Sequence, residues 1–472
     1  MKILYSFFMV CLLWAPIAQH AGSQPLSPLV TDGVLSSDAH GIWESPSYGW
    51  TAKITADEIV LYHTDSQGCM IDPAQTEDLL RLVTYYDRRD DLLFISPRPE
   101  GSTVYIFEPA PAIPPQCFTT PDSSPTGVFN YFWNLMNEHY AFFDLYEVDW
   151  AERRTRYADS VHYDMSDAAL FDVLSSMMAG LNDGHLTLTA EIDGDEVDFD
   201  GSRPRVLAPA LLAAFAAQDA VEERSAFFNQ WFNGSLNRFQ TRVLNSRGQG
   251  QAANGSMNWG SINNIGYISL FGMGDFAESE GDFANEIAAV HTAMDRALTD
   301  LKDTDGLIFD IALNQGGLDE VSLAIAGHFT DQPIAAYTKE GFESAHPPQT
   351  LHVQPGGTVK YLKPVSLFTS DLSVSAAEIF TLAMRALPNV THRGDATWGA
   401  LSDILSKTLP NGWELNLSNE IYTDKDGIVW EGKGIAPVDQ YTVFDPENIF
   451  QSHHNAILQV AAKMRAASRR GS

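Results

Sequence analysis

Positive charge is scarce in this chain. Its 29 Lys and Arg residues face 61 Asp and Glu, and the formal net charge is −32. No basic surface can dominate such a field, which argues against a nucleic-acid or anionic-membrane partner. Cysteine is scarce too, with three in 472 residues. Cys11 falls in the leader described below. Cys69 and Cys117 remain, and they either pair as one disulfide or stay as two buried thiols. Long apolar runs are missing beyond the first two dozen residues, so no later stretch is expected to cross a bilayer. Internal repeats are absent as well. With 44% hydrophobic and 19% charged residues, the chain is nonetheless well supplied for a packed core.

Residues 1–23 have the pattern of a secretory signal: Lys2, an apolar run from Ile3 to Trp14, then the small residues Ala15, Ala18, Ala21, Gly22 and Ser23. Cleavage after Ala21 or Ser23 would leave an exported protein, periplasmic or extracellular, with no stable membrane insertion. A membrane anchor is the competing reading, but the run is short for a span. The sites Asn233, Asn254, Asn389 and Asn416 matter only in a host that glycosylates.

Residues 27–118 read as a small β-rich domain. Strand-like runs at Gly49–Ile54, Glu58–Tyr62, Leu92–Ile95 and Val104–Phe107 are separated by turn residues. A proline-rich connector follows. Residues 125–190 form a helical segment with an aromatic helix at Gly127–Phe143 and a second helix capped by Ser166. It leads into the turn Asn182-Asp-Gly and a strand from His185. Residues 191–256 read as an acidic loop, a helical segment and a mobile Gly/Gln-rich stretch. Residues 257–472 alternate strand and helix, as expected for an α/β core.

Ser375 lies where the apolar strand Pro364–Phe368 has ended and a helix begins at Ala376. There a hydroxyl is either a plain helix cap or a nucleophile facing unpartnered amides. Three other stretches supply what acyl transfer needs. Asn314-Gln-Gly-Gly317 is a glycine turn able to present amides, His185 begins a strand, and Glu431 sits in a glycine loop.

Taken in order, Leu181-Asn-Asp-Gly-His-Leu-Thr187, Gly306–Gly317, Ser373-Val-Ser-Ala-Ala-Glu378 and Gly432-Lys-Gly-Ile-Ala-Pro437 resemble the four signature segments of the S41 serine peptidases. That family includes the C-terminal processing proteases and the tricorn core protease. The resemblance spans about Gly127 to Val443. It implies a ClpP/crotonase-like α/β core, a peptide or protein substrate, and no cofactor or metal.

The resemblance further implies Ser375 as nucleophile, His185 as base and Glu431 as the acid that orients His185, directly or through water. Ala376 with Gly316 or Gly317 would form the oxyanion hole. A Ser/Lys pair is not expected, because Ala400 follows the Thr397-Trp-Gly turn where such relatives carry lysine. Gly184 stands where tricorn-like relatives have a second serine, and Ala312 where the family usually has arginine. No PDZ pattern is visible in 191–256. Two other readings stay open at this level: a non-catalytic binding protein on the same fold, for an apolar ligand or a peptide, and a hydrolase of non-peptide acyl groups. Oligomeric state is not legible.

Overall fold

The computed structural model describes residues 26–471, apart from 77–78, 81–83, 100–102, 204, 218–223, 240–243, 245–248 and 278–282. The expected signal at 1–23 lies outside the described residues. The molecule is α/β, with a β-rich amino-terminal region.

That region is one eight-stranded antiparallel sheet. Its order is Ser27–Pro28, Tyr85–Arg89, Leu92–Ser96, Tyr105–Pro109, Gly41–Ser45, Trp50–Ile54, Ile59–Thr64, Cys69–Ile71. Alternate residues such as Trp43, Ile54, Leu93, Ile95 and Phe107 turn into a small core. Cys69 and Cys117 form a disulfide, which ties the edge strand to the proline-rich connector. It closes a loop of 48 residues.

The helices Pro125–His139, Trp150–Ala158 and Asp167–Met178 follow. Ser166 caps the third through the Ala169 N–H, as its position predicts. The strand after His185 starts at Thr187 and runs to Ile192. The acidic stretch expected to be a loop is instead its hairpin partner, Asp195–Asp200. Here the alternation Val197, Phe199 carries the strand period, and the carboxylates face solvent. The helical segment is two helices, Leu207–Ala216 and Arg224–Arg238. The Gly/Gln-rich stretch includes the strand Gly250–Ala252, paired with Met257–Ile262.

The central sheet has the order Gly250–Ala252, Met257–Ile262, Ile265–Leu270, Leu307–Asp310, Val365–Thr369, Val390–Gly394, Asp439–Gln440. The last five strands are parallel. Leu307–Asp310 and Val365–Thr369 are buried at every residue, because helices cover both faces of a parallel sheet. The helix Phe283–Leu301 packs Val290, Met294, Ala297, Leu298 and Leu301 on it, the spacing of one helical face. The region expected to be a hairpin, Gly399 to Trp430, is one in part: Ile404–Thr408 pairs with Glu414–Ser418. Glu420–Asp424 then crosses to a separate sheet beside Ile334–Gly341 and Gln349–Val353.

The β-rich region docks on that hairpin through a buried lysine. Lys407 Nζ donates to the carbonyls of Tyr48 at 2.6 Å and Gly49 at 3.0 Å and to His63 Nδ1 at 3.1 Å. His63 Nε2 therefore carries the ring proton and donates to Asp72 at 2.6 Å.

Candidate active site

Strand Val365–Thr369 delivers the chain into the loop 370–375, and serine hydroxyls fix this loop from within. Ser370 Oγ donates to the Ala312 carbonyl at 2.5 Å and Ser373 Oγ to the Ile311 carbonyl at 2.8 Å. Ser373 is fully buried by that bond. Ala312 thus supports the loop through its backbone, which needs no arginine. Ser375 comes next with φ 58° and ψ −126°. A non-glycine residue held there costs about 1–3 kcal/mol and points to a function that needs the conformation. Helix Ala376–Ala386 begins immediately after it.

Glu378 holds this elbow. Its carboxylate accepts the N–H of Ser375 at 3.2 Å, of Gly399 at 2.7 Å and of Ala400 at 2.8 Å, and the Thr397 hydroxyl at 2.6 Å. Burial pushes Glu378 up to about 7, with these four donors pulling against it.

The glycine turn presses on the elbow from the other side. Gly316 has φ 96°, and a Cβ there would lie 2.8 Å from the Ser375 Cβ. Asn314 is fully buried, and its Oδ1 accepts the Gly316 N–H at 2.9 Å. Of the three amides expected to line an oxyanion hole, that of Gly316 is therefore occupied. Those of Gly317 and Ala376 have no acceptor among the described residues.

His185 is set by a tight turn. Asp183 Oδ1 accepts the His185 N–H at 2.9 Å and the Ser418 hydroxyl at 3.0 Å, and its Oδ2 accepts the Tyr140 hydroxyl at 2.9 Å. The ring Nδ1 lies 2.6 Å from the Ser402 carbonyl. A carbonyl only accepts, so Nδ1 carries the proton and Nε2 keeps a lone pair.

Glu431 does not reach this ring with a hydrogen bond. Its Oε2 accepts the N–H groups of Leu401 at 2.8 Å and Ser402 at 3.0 Å. The carboxyl therefore reaches His185 only through the Ser402 peptide. Burial raises its pKa well above the ordinary value, and the charges of Asp183 and Glu378 add to the rise. Its buried Oε1 has no partner among the described residues.

Trp398 explains Gly184. The indole packs where a Cβ on residue 184 would be, so the serine of tricorn-like relatives has no room. Trp398 also groups with Val374 and Ala400, and its backbone N–H donates to the Ser373 carbonyl at 3.1 Å. Segment 397–402 thus joins the elbow to the histidine. No hydrogen bond joins the Ser375 hydroxyl and His185 themselves. Such bonds are often long before substrate binds.

Among the described residues, no group of three or more His, Cys, Asp or Glu side chains could hold a metal ion. The residues that sequence reasoning passed over are Ser402, Trp398, Asn314, Asp183 and the carboxylate of Glu378. Two had a signal. Glu378 stands three residues after Ser375, the capping-box spacing, and Asp183 stands two before His185, the Asx-turn spacing.

Residues 264–439 match peptidase family S41, and residues 121–179 match the tricorn protease C1 domain. No curated protein matches the chain in sequence. Among solved structures, a proposed peptidase from Parabacteroides merdae superposes with a TM-score of 0.55 at 23% identity, covering 73% of this chain and 97% of that one. Mature CPAF in complex with lactacystin gives 0.53 at 11% identity, covering 74% and 99%. These two likenesses are of fold. The sequence matches, falling on the elbow and the glycine turn just described, define a serine-type peptidase. The α/β core of the chain is that of an S41-type peptidase.

Proposed function

We propose that the chain is an exported endopeptidase that works through an acyl-enzyme on Ser375. His185 Nε2 takes the hydroxyl proton as Oγ attacks the peptide carbonyl, and then returns it to the leaving amine. The amides of Ala376 and Gly317 hold the oxyanion. Losing one such donor costs roughly 3 kcal/mol of transition-state stabilisation. The Ser402 carbonyl keeps His185 in the productive tautomer, and Glu431 positions that carbonyl. Water then repeats the sequence to release the acyl group.

The observation that carries this reading is the elbow itself: Ser375 at φ 58°, pressed against Gly316 at a helix start. Export is supported by the Cys69–Cys117 disulfide, since such bonds persist in oxidising compartments. Digestion of a peptide library tests the activity. Cleavage at internal bonds that disappears in Ser375→Ala is expected. Cleavage that survives the substitution at the wild-type rate contradicts the assignment.

A further inference from the structure

The β-rich region lies outside both family matches, which begin at residue 121. It nevertheless reaches the segment that holds His185. Thr103, just before strand Tyr105–Pro109, is buried, and its hydroxyl donates to Asp403 Oδ2 at 2.9 Å. Lys339 Nζ donates to Thr103 Oγ1 at 2.5 Å and to Glu420 Oε2 at 3.0 Å, and lies 3.5 Å from Asp403 Oδ2. Tyr48, also from the β-rich region, donates to Glu420 Oε1 at 2.6 Å.

These contacts converge on one residue. Asp403 follows Ser402 directly. The Glu420 N–H donates to Ser402 Oγ at 2.9 Å, and that hydroxyl donates onward to the Asp403 carbonyl at 3.1 Å. Ser402 is therefore held at its N–H by Glu431, at its hydroxyl by Glu420, and through its neighbour by Thr103. Its carbonyl is left for His185. A buried lysine with its carboxylates is costly to desolvate, so this cluster is weak evidence for adhesion alone.

We propose that the β-rich region is part of the catalytic apparatus, with Thr103 and Tyr48 as positioning residues that set His185 through Ser402 and Asp403. The inference rests on His185 being the base. Asp403 adds an electrostatic element. Desolvation of its inner face pushes it up, while Lys339, the Thr103 hydroxyl and His185 outweigh that and keep it ionised.

The test is steady-state peptidase kinetics on Thr103→Val, Thr103→Ser and Tyr48→Phe in the full chain, with melting temperature measured in parallel. Thr103→Val is expected to lower kcat roughly 10-fold or more, because small displacements of a base are expensive. KM is expected to stay within about 2-fold, since substrate contacts are untouched. Thr103→Ser restores the hydroxyl and is expected to restore kcat. Tyr48→Phe decides the matter if Thr103→Val does not fold, with a kcat loss expected there too. Wild-type kcat in the folded variants, with only the melting temperature lowered, overturns the proposal. That result leaves Ser375 untouched, because loss of cleavage in Ser375→Ala is read separately.

Discussion

His185 donates through Nδ1 to the carbonyl of Ser402 at 2.6 Å. In the proposed catalytic arrangement the third group is thus a backbone oxygen, and the carboxyl expected in that place stands one peptide further back. This changes what substitution of the acid should do.

Glu431→Gln keeps an oxygen for the Leu401 and Ser402 amides. Peptidase activity is expected to fall less than about 10-fold, whereas an acid needed as an anion beside the imidazole would cost roughly 10⁴-fold. Glu431→Ala removes the acceptor and leaves two buried amides unpaired, at about 1–3 kcal/mol each. It is expected to lose far more activity than Glu431→Gln. Side-by-side kcat values for the two variants check this.

Gly184→Ser, which restores the residue of tricorn-like relatives, is expected to destabilise the fold by about 1–3 kcal/mol, since the Trp398 indole occupies the space. Trp398→Ala opens that space. The cost of Gly184→Ser should therefore shrink in the Trp398→Ala background, a coupling that denaturant unfolding of the four proteins measures.

Two buried groups give stability opposite slopes on either side of neutral pH. The folded chain holds the Glu378 proton up to about 7, while the ordinary value is 4.5. Between those values only the folded state is protonated, so this contribution, of order 3 kcal/mol, is lost as pH rises. Burial pulls Lys407 down to about 7 from 10.5. Between these values only the unfolded state is protonated, so stability rises with pH. Urea midpoints from pH 5 to 10 are expected to show the falling limb flattened in Glu378→Gln and the rising limb flattened in Lys407→Met.

Reduction of Cys69–Cys117 frees a loop of 48 residues. Chain-entropy reasoning puts the loss near 4 kcal/mol. Cys69→Ser is expected to lower the unfolding midpoint of the β-rich region, and reductant should do the same to the wild type while leaving Cys69→Ser unchanged.

Much of this site is legible in the sequence. The elbow shows as an apolar strand, a run of small residues and a helix, and the histidine turn shows as Asn-Asp-Gly. Ser402 leaves no trace, because a carbonyl belongs to every residue and only the fold aims this one. Trp398 reads as any core aromatic until its ring is seen against Gly184. Helix Trp150–Ala158 leaves little trace in the sequence, since Trp150 is its only buried residue, too little for an apolar period. Strand Asp195–Asp200 is masked by its carboxylates, and Ile334–Gly341 departs from the β–α alternation of the core. The raised pKa of Glu431 follows from burial beside Asp183 and Glu378, residues far apart in the chain.

The central claim is that Ser375 is a nucleophile activated by His185. Labelling the folded protein with a fluorophosphonate, and locating the adduct by mass spectrometry, tests it most directly. An adduct on Ser375 is expected in the wild type, forming at least about 100-fold more slowly in His185→Ala, the usual scale of general-base assistance. No adduct on Ser375, or equal labelling of the two proteins, would contradict it.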